Sequence, residues 1–300
     1  MIRGTQLASL AAGAALGAVA VLRSSAPVRR SLPAPIPTTA LAPRAACGVN
    51  RGAALLALAA LCDSALEHYR GSFHNKTMYL PLGVATLTFA ASLRDSVGTN
   101  GGARRSSAVV DGLAIATGVV GTGFHLYNIT KRPGGISWLN LFYAAPLGAP
   151  AALSLAGLLR RMAATLHHDG GRAELLAGLV SVGLLGTSAE AALLHFRGAY
   201  HNPAMMIPVT IPPVAAALLA RAALTPRALH DGTRWSLRLL VGVGLLGSAF
   251  HAYGVSRNMG GWRNWSQNVL NGPPLPAPPA FTALAVAGLA ALDLIEEGRR

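Results

Sequence analysis

Residues 68–75 read HYRGSFHN, and residues 195–202 read HFRGAYHN. Each phrase puts two imidazoles, a guanidinium and a carboxamide into a chain that is otherwise mostly Ala, Leu, Gly and Val. An imidazole offers a ligand lone pair near neutral pH, and an arginine fork matches a carboxylate or a phosphate. Such groups are expensive in apolar surroundings, and keeping them twice argues that something is bound there. Residues 68–81 against 195–208 give seven identities in fourteen positions, among them His68/His195, Arg70/Arg197, His74/His201, Asn75/Asn202 and Pro81/Pro208. One helix later, residues 119–135 align with 245–261 and pair His125 with His251 and Tyr127 with Tyr253. Upstream, Asp63 aligns with Glu190.

Paired imidazoles on facing helices at one depth are the axial set of a six-coordinate haem. His68 with His125 serves one half and His195 with His251 the other, with Arg70 and Arg197 placed for propionates. The expected function is that of a haem b-binding, cytochrome b-like membrane redox protein or subunit, working with a periplasmic redox partner or a quinone. Two four-helix halves, each with a His pair near one face, are similar in layout to haem A synthases and other membrane cytochromes b. No motif of those families is present, so the likeness carries over no residue. A metal site from His74, His201, Asp63 and Glu190 is the second chemistry these residue types allow. His68 and Asp63 stand five apart, about 140° around a helix, so such a site needs several helices.

Other readings need no prosthetic group. A transporter could use Arg70 and Arg197 on an anion, and a membrane anchor subunit could dock a soluble enzyme on residues 260–274. Simple anchoring is the plainest of these, since His, Tyr, Trp and Arg gather at membrane interfaces. Gly71 and Gly198 are expected at a turn needing positive φ or close approach, and Asn75 and Asn202 as helix caps. Asp169 and Asp231 read as helix-start caps. Cys47 and Cys62 make neither a disulfide framework nor a metal motif, and no nucleophile, phosphate-loop or dinucleotide motif appears.

The elements that must position these groups are membrane helices. The 300 residues are 52% hydrophobic and only 12% charged, against about 25% charged in soluble domains. The net charge of +14 comes from Arg in short gaps between apolar runs, which is topology and not a nucleic-acid surface. Eight apolar segments lie near 51–70, 77–94, 108–127, 139–159, 174–195, 203–222, 235–254 and 275–293. Residues 1–49 are expected to be an apolar segment and a Pro/Ala/Arg-rich linker, the segment being a signal or an extra helix. Residues 50–165 and 166–300 then form two tandem four-helix repeats. Four spans per copy is an even number, so the copies run parallel, related by an axis along the membrane normal. Fourteen basic residues fall on one side and seven on the other. That places the core termini in the cytoplasm of a bacterial inner membrane and the His groups on the periplasmic side. Prolines 146, 150, 208, 212 and 213 are expected to kink the fourth and sixth helices.

Overall fold

Ala- and Leu-rich stretches punctuated by Pro, Gly and Asn set the helix boundaries. The computed structural model describes residues 41–97, 108–144, 146–166, 172–225 and 230–299. Residues 1–40, with the apolar segment and most of the linker, lie outside them, as does Asp169.

Eight long helices are present among the described residues: α1 (Leu41–Arg70), α2 (Leu80–Ser96), α3 (Ala108–Thr130), α4 (Gly148–Thr165), α5 (Ala173–Arg197), α6 (Ile207–Leu224), α7 (His230–Arg257) and α8 (Pro279–Glu297). No strand occurs among those residues. Six helical stretches are long and apolar enough to cross a membrane: α1, α3, α5, α6 with its preceding turn, α7 and α8. The α2 helix has 17 residues, and α4 carries Arg160 and Arg161, so neither qualifies by length and apolarity.

Three boundaries differ from the sequence expectation. The α1 helix begins at Leu41, so residues 41–49 are helix and not linker, and Ala45, Ala46 and Val49 are buried in the core. Pro43 sits in the first turn, where a missing N–H costs nothing. The fourth segment is broken, not kinked. A short helix, Trp138–Tyr143, ends before Pro146, and α4 starts at Gly148. Pro212 and Pro213, by contrast, lie inside a continuous α6.

Packing follows a simple order. α1 packs on α2, α2 on α3, α3 on α4 and α4 back on α1; α5 to α8 close a second ring the same way. The rings meet mainly along α1 and α8, and secondarily along α4 and α5. Of the apolar stretches of α1 and α8, 61% and 67% are buried, against 33% or less in the other spans, so these two form the centre. Their close approach rests on a GxxxG pair: Gly48 faces Ala290, and a Cβ on Gly52 would strike the Ala283 carbonyl.

One buried network distinguishes the rings. Arg160 on α4 is fully buried and donates to Asp111 at 2.7 Å, to Asp95 at 3.2 Å and to Ser92 at 3.3 Å. Arg160 is therefore not one of the loop cations that set topology, which leaves thirteen against seven. Offsets of 127 for Ser92 and Asp95, 126 for Asp111 and 128 for Arg160, the last set by the match of residues 146–150 with 274–278, pair Arg160, Asp111, Ser92 and Asp95 with Gly288, Leu237, Leu219 and Ala222. Those residues also meet: a Cβ on Gly288 would lie 3.1 Å from Leu237 and 3.2 Å from Leu219. One ring fills this position with ions and the other with leucine.

Candidate functional site

His68 and His195 end α1 and α5, while His125 and His251 lie near the ends of α3 and α7. The odd helices face each other across each ring, so the imidazoles come in pairs. The His195 and His251 ring centroids are 6.5 Å apart with planes at 75°. His68 and His125 lie within electrostatic reach of one another. All four rings are half-buried.

A common device holds them. His68 Nδ1 lies 2.7 Å from the Met78 carbonyl, and His195 Nδ1 lies 2.8 Å from that of Met205. His125 Nδ1 is 2.8 Å from the Pro146 carbonyl, and His251 Nδ1 is 2.7 Å from that of Pro274. Proline explains why three of these oxygens are available. Met78 and Met205 lie in 3-10 turns, Lys76–Tyr79 and Pro203–Met206, whose i to i+3 partners are Pro81 and Pro208. The residue four beyond Pro146 is Pro150. None of these three prolines has an N–H to give. The Pro274 carbonyl differs, since it also accepts from the Ala277 N–H at 3.3 Å. A carbonyl only accepts, so each Nδ1 must carry the proton and each neutral ring keeps its lone pair on Nε2. A backbone carbonyl fixing one ring nitrogen is the usual outer-shell support of a ligating histidine.

The turns that precede α2 and α6 repeat in detail. Asn75 accepts from the Thr77 N–H at 3.0 Å and Asn202 from the Ala204 N–H at 2.9 Å, which fulfils their capping role. Positive φ falls on Ser72 and Phe73, and on Ala199 and Tyr200, and not on Gly71 or Gly198. Of the two roles expected for the glycines they serve close approach: a Cβ would meet the Met78 methyl at 3.2 Å and the Met205 methyl at 3.0 Å. The left-handed turn folds an aromatic back onto the histidine. Phe73 meets His68, and Tyr200 meets His195, both edge-on at 6.2 Å.

The arginines have partners in the opposite ring. Arg70 donates to the Leu270 carbonyl at 3.3 Å and pairs with Glu67. Arg197 donates to the Phe142 carbonyl at 3.5 Å and lies 5.0 Å over the Tyr143 ring. Phe142 and Leu270 close the two short helices, Trp138–Tyr143 and Trp265–Leu270, so each cation meets a helix C-terminus across the seam. Both side chains are exposed and retain donors for a further anion.

The proposed metal set is not brought together. His74 and His201 are exposed, each with Nδ1 3.0 Å from a glycine carbonyl three residues back. Glu190 accepts from the Gly148 N–H at 2.8 Å and so caps α4. Pro276, at the place equivalent to Gly148, has no N–H to offer Asp63, which lies within electrostatic reach of Glu190 and Glu67. Among the described residues no three His, Cys, Asp or Glu side chains converge on one ion site. A haem would need only two imidazoles, and His195 with His251, 6.5 Å apart, would be the pair to hold it in the second ring.

Two features escaped the sequence. Pro146–Leu147–Gly148–Ala149–Pro150 recurs as Pro274–Leu275–Pro276–Ala277–Pro278, four identities in five positions that supply two of the histidine acceptors. Asn140 and Asn268 are buried, and each Nδ2 spans two loop carbonyls: Pro133 and Gly135 at 3.0 and 2.6 Å, Met259 and Gly261 at 3.1 and 2.8 Å. The available signal was a carboxamide in each of two short stretches, WLNLFY and WSQNVL, that precede the Pro-rich segments. No protein-family model, curated protein or solved structure matches the chain.

Proposed function

We propose that this chain is a membrane redox protein or subunit that binds haem b between paired imidazoles, one pair in each ring. The observation that carries the reading is the shared state of His68, His125, His195 and His251. All four have Nδ1 at 2.7–2.8 Å from a backbone carbonyl, which puts the lone pair of the neutral ring on Nε2. Haem, when bound, supplies a one-electron couple. The chain's own part is to hold the imidazoles in one tautomer and to keep one face of each ring against protein. Arg70 and Arg197 are placed to meet carboxylates at the same end.

In the same reading all eight helices cross the membrane as two parallel four-helix copies, residues 50–165 and 166–300. It is supported by the repeated hydrogen bonds of the two rings, and by the ionic partners that let α4 carry Arg160. The His end faces the periplasm of a bacterial inner membrane, and the redox partner there is a soluble carrier or a quinone. A reporter fused after Arg300 is expected on the cytoplasmic side, and a periplasmic signal reverses the orientation.

A specific observation also favours the runner-up, a transporter or anchor subunit without a prosthetic group: each histidine already has a structural task, binding a backbone carbonyl through Nδ1. The absorption spectrum of detergent-purified protein separates the two. The haem reading predicts a Soret band with up to two haems per chain, lost stepwise in His195→Ala and His68→Ala. A colourless preparation after expression with added haem precursor favours the runner-up.

A further inference from the structure

From each of the four histidines to the start of the next long helix the chain carries basic residues and no acidic ones. Residues 68–79, 125–147, 195–206 and 251–278 contain Arg70, Lys76, Lys131, Arg132, Arg197, Arg257 and Arg263, and not one Asp or Glu. All seven side chains are exposed. Two of them form a repeated motif. Lys131 lies 4.4 Å over the ring of Tyr127, and Arg257 lies 5.7 Å over that of Tyr253, with a 3.1 Å bond from Arg257 to the Tyr253 hydroxyl. The pairs are four residues apart, close α3 and α7, and occupy equivalent places in the two rings. Tyr127 and Tyr253 are themselves 52% and 59% exposed.

The helices that bear them decide what these cations face. Buried shares of the apolar stretches of α3 and α7 are only 22% and 17%, so most of each helix surface looks outward. In a bilayer that surface meets acyl chains, and the final turn of such a helix sits at headgroup depth. A tyrosine with a cation laid against its face then presents positive charge where lipid phosphates lie. Trp138, Trp262 and Trp265 are exposed at the same end and mark the same interface.

We infer that the Tyr127–Lys131 and Tyr253–Arg257 pairs are two equivalent binding sites for the phosphodiester headgroup of an anionic phospholipid, phosphatidylglycerol being the simplest. The inference rests on the membrane assignment and is independent of haem. Arg70 and Arg197, turned toward the seam between the rings, are not part of it.

The test uses the full chain purified in a neutral detergent, probed with phosphatidylglycerol, phosphatidylcholine and inorganic phosphate. Native mass spectrometry reads lipid retained, and thermal unfolding reads the shift on lipid addition. Phosphatidylglycerol is expected to be retained at up to two per chain and to raise the unfolding temperature more than phosphatidylcholine. Lys131→Gln with Arg257→Gln is expected to weaken phosphatidylglycerol binding roughly fivefold at each site, since each loses one surface cation worth about one kcal/mol. Lys131→Arg, which keeps the charge, retains binding and serves as the folding control. Equal retention of the two lipids, or unchanged phosphatidylglycerol binding in the double variant, overturns the inference. So does a shift of the same size from inorganic phosphate alone. Charge-dependent capture of an acidic soluble protein with no lipid preference assigns the surface to protein and overturns it as well.

Discussion

The Nδ1 of His125 lies 2.8 Å from the carbonyl oxygen of Pro146, and the residue four positions on is Pro150. Proline thus creates an acceptor, and histidine fills it. The relationship fixes both ring orientation and tautomer. Replacing Pro150 with Ala supplies an amide N–H that competes for the carbonyl and releases the ring. Nitrogen-15 spectra of histidine-labelled protein are expected to show Nδ1-protonated rings for His68, His125, His195 and His251. In Pro150→Ala the His125 signal leaves that set. An unchanged His125 signal contradicts the account of how the ring is held.

The ionic network of the first ring has its apolar counterpart in the second, which makes a direct exchange possible. Arg160→Met leaves Asp111 buried without its cation and is expected to cost about 3–5 kcal/mol, measured by unfolding in detergent. Installing the second ring's residues together, Arg160→Gly, Asp111→Leu, Ser92→Leu and Asp95→Ala, removes the charges as a set. That variant is expected to recover most of the loss, since buried ion pairs replaced by packed apolar groups are near neutral. A quadruple variant less stable than Arg160→Met refutes the equivalence of the two packing layers.

The turns before α2 and α6 hold non-glycine residues in the left-handed region, at a cost of roughly 1–2 kcal/mol per residue. Ser72, at φ 57°, and Ala199, at φ 56°, are exposed, so glycine can take their place without losing packing. Ser72→Gly and Ala199→Gly are each expected to stabilise the chain by about 1 kcal/mol. A lowered unfolding temperature in both contradicts the reading of these turns as strained.

Much of this arrangement is legible in the sequence because polar residues in an apolar chain stand out. The His, Arg and Asn of the opening phrase were found that way, as were the eight helical segments. What stayed hidden depends on partners far away in the chain. Arg160 reads as a loop cation until Asp111, 49 residues earlier, is seen beside it. That Arg70 also reaches the opposite ring, at the Leu270 carbonyl 200 residues later, is equally invisible in the sequence. Glu190 reads as a metal ligand, yet it caps a helix whose start was obscured by Pro146. Gly71 reads as a turn residue needing positive φ or close approach, and the sequence alone does not choose between them. Positive φ falls on Ser72 and Phe73, which folds the aromatic back on His68, while Gly71 admits the Met78 methyl.

The central claim is that the Nε2 atoms of each histidine pair are held for one shared ligand. Low-temperature electron paramagnetic resonance of the oxidised, haem-reconstituted protein tests it most directly. The account predicts a strongly anisotropic low-spin ferric signal from imidazole planes near the 75° between His195 and His251, abolished in His251→Ala. A signal of high-spin, loosely bound haem that is identical in the wild-type chain and in His251→Ala contradicts it.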